Sequence, residues 1–170
     1  VKRLLDIAVA SAALVILSPV LLIVTAAILI ETGRPIFFRQ NRRGFGGREF
    51  KIWKFRSMTV QENGPDVPQA QRNDPRVTPL GRLLRKTSID ELPQLLNVLK
   101  GDMSIVGPRP HAIAHDNHYD QKIATYAFRQ HVKPGITGWA QVNGLRGETP
   151  RLSDMEARVE HDLWYINNWS

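Results

Sequence analysis

The chain contains no cysteine, which rules out a disulfide framework, a thiolate metal site and a cysteine nucleophile, and makes a reducing compartment the simpler expectation. It opens at Val1 without an initiator methionine, as expected of a piece of a longer protein. No internal repeat and no low-complexity tract interrupts it. The most informative absence is of charge: residues 7–30 are 24 in number and carry none. At the helical rise they would extend roughly 36 Å, enough to span a bilayer. The run is longer than the apolar part of a signal peptide, and no small-residue cleavage site follows it.

Two features argue against simple spanning. Ser18 and Pro19 sit at its centre, where proline deletes a backbone donor and collides with the carbonyl of Val15, kinking or breaking the helix. Basic residues also flank both ends, Lys2 and Arg3 before and Arg34, Arg39, Arg42 and Arg43 after, and the positive-inside rule then places both ends in the cytosol. A re-entrant helix-break-helix over residues 1–34 satisfies both observations, with Ser18 and Pro19 at the break and Lys2, Arg3 and Asp6 as interface anchors. The freed carbonyls near Pro19 need a partner, which the Ser18 hydroxyl or a neighbouring helix could supply. The competing arrangement is a proline-kinked spanning helix.

What is present fits one folded domain beyond that appendage. At 170 residues, 42% hydrophobic and 23% charged, the chain can bury one core and is no disordered tail. The net charge of +7 first points to nucleic acid, but its distribution points to lipid headgroups. Residues 1–51 hold eight basic side chains against Asp6, Glu31 and Glu49, a collar around the apolar segment. No nucleic-acid partner is expected.

Residues 36–39 and 50–55 are expected to be strands around the glycine turn 44–47. The hydrophilic stretch 61–76, with Pro65, Pro68 and Pro75, is expected to be an exposed loop. Leu80, Leu83 and Leu84, then Leu92, Leu95, Leu96 and Leu99 closed by Gly101, have helical spacing. A last amphipathic helix runs through Leu152, Met155, Val159 and Leu163 into Trp164, Tyr165 and Trp169, aromatics suited to a membrane interface. The fold class is therefore α+β: a small, mostly helical domain over residues 35–170 with short strands, the membrane segment, and interfacial amphipathic helices.

Residues 85–96, RKTSIDELPQLL, carry the densest chemistry. Ser88 and Glu91 have capping-box spacing and Pro93 is tolerable only near a helix start, so Asp90 and Glu91 are expected at a helix N-terminus. There the helix dipole would keep Asp90 ionised and favour a phosphate nearby. Arg85 and Lys86 just upstream give acid beside base, a mixture that suits attack on a charge-neutralised diphosphate. Spacing alone equally allows Glu91 to be a cap and Asp90 an answer to the dipole. His111, His115 and His118 have helix-like spacing but lack the acidic base of an HExxH site, which makes a weak zinc motif. Trp139 could line a sugar or nucleotide pocket or fill the core.

Several stretches resemble the bacterial sugar transferase family of monotopic phosphoglycosyl transferases: KRLLD, the Ser18-Pro19 pair, FFRQNRRG, FKIWKFRSM, DELPQ, GDMS, GPRP and VKPGITGWAQVNGLRGET. The combination, in this order, covers nearly the whole chain. The resemblance implies that Asp90 attacks the β-phosphate of a UDP-sugar, releasing UMP, and that polyprenyl phosphate then takes the phosphosugar from the enzyme. It implies that Glu91 serves a required Mg²⁺ and that Arg85 and Arg109 hold phosphate, with Lys86 beside them as a further cation for it; taken alone, each arginine could equally form a surface or core-edge salt bridge. The closing run resembles members that prime exopolysaccharide assembly from undecaprenyl phosphate at the cytosolic face of the bacterial inner membrane. In those, further segments precede this domain and would carry any oligomer interface. Glucose or galactose is then the expected sugar. The alternative is a non-catalytic membrane-anchored adaptor that binds anionic lipid or nucleic acid through the basic collar.

Overall fold

The computed structural model describes residues 1–59 and 74–169. Of the loop expected over 61–76, only 74–76 fall within them. The first element is a helix, α1, Lys2–Thr32, with Pro19 inside it. Where the sequence reading expected two helices around a break, one helical segment runs through. The Ser18 hydroxyl donates to the Val15 carbonyl at 2.8 Å, and Val15 is the residue whose carbonyl Pro19 cannot bond. That substitution lets the helix continue.

One face of α1 lies along the domain for most of its length. Ala10 is buried with Ile52, Leu95 and Val98, and further on Val24 and Ile28 are buried with Phe55 and Leu84. The opposite face is apolar and bare: Val15, Ile16, Leu22 and Ile23 are about 70% exposed or more. Polar contacts fasten both ends. Lys2 bonds Ser104 and, at 2.8 Å, the Val106 carbonyl. Arg3 donates to the carbonyls of Val98 and Leu99 at 2.5 and 2.8 Å. The buried Asp6 carboxylate accepts from the Ser104 hydroxyl and the Ile105 N–H at 3.0 Å. At the other end Arg56 donates to the carbonyls of Thr32 and Gly33 at 2.8 Å. The anchors therefore grip protein carbonyls and hydroxyls.

Strands β1 (Phe37–Arg43) and β2 (Glu49–Phe55) form an antiparallel hairpin, with Phe37 opposite Phe55 and Arg43 opposite Glu49. β1 runs four residues further than expected because Arg42 and Arg43 keep pairing despite their charge. The turn Phe45–Gly47 closes it, with Gly46 and Gly47 at φ 63° and 73°, values glycine adopts without steric cost. Helices α2 (Pro79–Thr87) and α3 (Gln94–Lys100) follow, the first capped by the Thr78 hydroxyl on the Gly81 N–H and the second closed by Gly101 at φ 95°. Short β3 (Ser104–Val106) pairs in parallel with β4 (Gly135–Thr137), a non-local pairing that three-residue strands do not announce. Between them lie α4 (Ile113–Asp120) and the 3₁₀ turn Tyr126–His131. The chain ends with α5 (Trp139–Val142) and α6 (Leu152–Asn168). α6 buries Met155 and Val159 against Ile123 and Tyr126, the face its periodicity predicts. The architecture is the α+β class expected, dominated by helices.

Candidate active site

Asp90 and Glu91 lie on a 3₁₀ turn, Ile89–Glu91, between α2 and α3. Ser88 enters it in a left-handed conformation, φ 61°, ψ 15°, the only non-glycine residue at positive φ among the described residues. Such a backbone costs about 1 kcal/mol or more and persists where the surroundings enforce it. The expected capping box does not form. The Ser88 hydroxyl caps nothing and accepts from Arg146 at 2.6 Å. Glu91 meets Ser88 only through its backbone N–H, at 3.1 Å. Pro93 does stand at the start of α3, as its N-cap, so the dyad precedes that helix and is not in its first turn.

Cations draw the Glu91 side chain away from the cap. Lys54 of β2 donates to its Oε1 at 2.8 Å, and Arg109 donates to Oε1 at 2.5 Å and Oε2 at 3.1 Å. These two partners hold the Glu91 carboxyl well below the usual glutamate range, against the opposing effect of its burial. Asp90 is in the opposite state. It is 7% exposed, and no described residue donates a hydrogen bond to its carboxylate. Burial pushes its carboxyl above the ordinary 3.8, and the charge of Glu91 adds to that, while Lys54, Arg85 and Arg109 pull it back. The dipole-lowered Asp90 expected from sequence is thus corrected: desolvation, not a helix terminus, dominates its environment.

The remaining expected residues divide. Arg109 is in the cluster. Arg85 acts on Asp90 through charge, and its guanidinium rests against the Met58 sulfur at 3.3 Å. Lys86 is exposed, without a hydrogen bond or ion pair among the described residues. Lys54 was the residue that sequence reasoning passed over. In β2 it shares the face of buried Ile52, and a charge placed on a buried face was the available signal. Arg42 is a second. It is half-buried, and its pKa is pushed down to about 10 by burial and by Arg109. Trp139 is 37% exposed and stacks on Trp164 at 4.7 Å, so it does not fill the core.

Arg109 is positioned by the loop that leaves β3. A Cβ on Gly107 would fall 2.3 Å from the Lys133 carbonyl oxygen, so only glycine lets that loop close on the segment entering β4. Arg129 then ties the loop to α6, donating to the Arg109 carbonyl and to Asp162, each at 2.8 Å. Among the described residues no three acidic, histidine or cysteine side chains gather as a metal cage. The arrangement is a buried carboxylate free to react beside a second one fixed by two cations, a set suited to handling phosphate.

The bacterial sugar transferase family model matches residues 1–170. The chain belongs to this family. Within it, the chain is 57% identical over 169 residues to a UDP-glucose:undecaprenyl-phosphate glucose-1-phosphate transferase of Escherichia coli (strain K12), covering 99% of this chain and 36% of that protein. A protein of the same name from Caulobacter vibrioides is 54% identical, over 99% of this chain and 63% of its own length. A UDP-N-acetylgalactosamine-undecaprenyl-phosphate N-acetylgalactosaminephosphotransferase of Aeromonas hydrophila is 44% identical, over 100% of this chain and 40% of its own. This family member therefore spans between about a third and two thirds of these sugar transferases.

Proposed function

We propose that this sugar transferase domain moves a sugar 1-phosphate from a UDP-sugar to polyprenyl phosphate through a covalent adduct on Asp90. The observation that carries the proposal is the electrostatic contrast within the dyad, an unbonded, desolvated carboxylate next to a clamped one. An Asp90 oxygen attacks the β-phosphorus, the bond from that phosphorus to the bridging oxygen breaks, and UMP leaves with the electron pair. The phosphate oxygen of the lipid then attacks the same phosphorus and the Asp90 carboxylate departs unchanged. A carboxylate that burial has made more basic is the better nucleophile once ionised, and Lys54, Arg85 and Arg109 keep that ionisation accessible. Arg109 and Arg85 supply positive charge where the diphosphate would lie.

Glu91 fits a Mg²⁺ ligand to the extent of one oxygen: Oε2 accepts a single 3.1 Å bond from Arg109 and retains a lone pair. One carboxylate plus phosphate and water is an ordinary Mg²⁺ environment, and the ion when bound would neutralise diphosphate charge. The relatives at 54–57% identity are named for glucose transfer to undecaprenyl phosphate, which supports UDP-glucose as donor and undecaprenyl phosphate as acceptor. The relative named for N-acetylgalactosamine, at 44%, makes galactose-type donors the second choice. Incubation with UDP-glucose labelled in the β-phosphate, without lipid, should label the protein at Asp90. Quantitative UMP release only when lipid is present, with no labelled protein, would mean direct transfer and sink the adduct.

The same reading makes α1 re-entrant, dipping into the cytosolic leaflet of the bacterial inner membrane and returning. Its support is the docking of both ends of α1 on one domain and the bare apolar face between them. A straight helix of 31 residues would part its ends by roughly 46 Å, so the return requires a bend, for which Pro19 is the place. Because the chain lacks cysteine, single cysteines beside Lys2 and beside Arg34 can be labelled cleanly. An impermeant reagent should reach both from the cytosolic face; opposite faces would restore the spanning helix.

A further inference from the structure

Strand β3 is where α1 and α6 meet. The Val106 carbonyl accepts from Lys2 of α1 at 2.8 Å and from the Tyr165 hydroxyl of α6 at 3.0 Å. Two residues earlier the Ser104 hydroxyl, 2% exposed, accepts from Lys2 and donates to the Asp6 carboxylate at 2.9 Å. The Ile105 N–H donates to the same carboxylate at 3.0 Å. Every hydrogen bond that Asp6 accepts from a described residue therefore comes from β3. Asp6 is 5% exposed, and taking a carboxylate out of water is costly. Attachment of the helix does not require it, since Ala10, Val24 and Ile28 already pack α1 on the domain.

What β3 leads to gives that carboxylate a purpose. Three residues separate Val106 from Arg109, in the sequence Gly107, Pro108, Arg109, Pro110. Each proline fixes its own φ and restricts the residue before it, so this link is stiff. It is also held in place: the Gly107 N–H donates to the Thr137 carbonyl and the Pro108 carbonyl accepts from the Gly135 N–H, each at 2.9 Å. A Cβ on Gly138 would fall 2.3 Å from the Gly107 carbonyl oxygen, so β4 presses directly on the link. A shift of β3 thus reaches Arg109 with little slack, and Arg109 is the residue that clamps Glu91 at 2.5 and 3.1 Å. β4 and Arg129 fix the loop on one side, and Asp6 fixes it from the membrane helix.

We propose that Asp6 is a positioning residue for the transfer reaction: through Ser104 and Ile105 it sets β3, and β3 sets the Arg109 guanidinium on the Asp90–Glu91 dyad. The inference rests on the sugar-phosphate transfer reading above. Its consequence is that the reactive site is complete only while α1 is seated on the domain.

The test is a double-mutant cycle read as kcat/KM for UMP release, with the full chain in nanodiscs that contain undecaprenyl phosphate and UDP-glucose as donor. Asp6→Ala should lower kcat/KM about 10²-fold, the scale of a 1 Å misplacement at a reacting centre. In an Arg109→Ala background the same change should cost less than about twofold, because no guanidinium is left to place. A purely structural role depletes active protein by the same factor in both backgrounds, so losses that multiply overturn the inference. Wild-type kcat/KM in Asp6→Ala overturns it as well. Circular dichroism checks folding, and if Asp6→Ala does not fold, Ser104→Ala replaces it in the cycle. That variant keeps the Ile105 bond and should lose about tenfold, the worth of a hydrogen bond to a charged group, with the same cancellation. Multiplying losses in an enzyme that releases UMP remove the inference alone. No UMP from wild-type protein with either UDP-glucose or UDP-N-acetylgalactosamine removes the transfer reading, and the inference with it.

Discussion

Asp90→Asn should lower UMP release from UDP-glucose by about 10³-fold or more, the scale on which enzymes lose rate when a covalent nucleophile is removed, while the thermal midpoint stays level or rises. The second half of that expectation separates catalysis from structure. Asp90 accepts no hydrogen bond from a described residue and is desolvated, so its charge opposes folding, and an uncharged amide of the same shape relieves the cost. A fall in midpoint with the lost activity would show a structural carboxylate.

The pH dependence has a definite sign. With Asp90 as the proposed nucleophile, activity needs its ionised form, so the acidic limb of kcat/KM should lie above the 3.8 of an ordinary aspartate. For stability the same raised value works in reverse. The folded state holds this proton more tightly than the unfolded chain does, so Asp90 subtracts stability as pH rises through its folded pKa. Glu91, depressed, contributes stability that is present above 4.5 and lost as pH falls below it.

Glu91→Ala should cost about 3 to 5 kcal/mol, the usual penalty for removing one member of a buried ion pair, lowering the midpoint by roughly 10 °C for a domain of this size. Lys54 and Arg109 side chains are 17% and 27% exposed, and both converge on Glu91. Deleting the carboxylate leaves two desolvated cations facing each other. Differential scanning calorimetry measures the cost. Adding Lys54→Met to Glu91→Ala should recover part of it, because the second change removes one of the stranded charges. If the double variant is as unstable as the sum of the two single ones, the triad is not coupled as the distances imply.

The helices were readable from sequence where a single face decides them. α6 buries Met155 and Val159 at the expected spacing, and α3 stops at Gly101 in the left-handed conformation that ends many helices. The hairpin was readable too, because glycines punctuate it. What local pattern could not convey was partnership. Ser88 and Glu91 have the spacing of a cap, but two cations from β2 and the Gly107 loop, distant in sequence, outcompete the backbone for that carboxylate. Lys54 escaped notice for the same reason, since its role exists only once β2 lies beside the turn Ile89–Glu91. Asp90 was expected at a helix terminus and lies instead in a desolvated turn, because burial is a property of the packed chain. At Pro19, the missing helical bond was legible and so was its remedy in Ser18.

Both extremities of α1 are riveted to the globule, by Lys2, Arg3 and Asp6 at one and by Arg56 at the other. The domain has no swivel between its float and its reactive carboxylate. On the membrane placement proposed above, the altitude of that carboxylate over the acyl chains would follow how deeply the apolar face of α1 sinks, so bilayer thickness and headgroup packing would act on turnover.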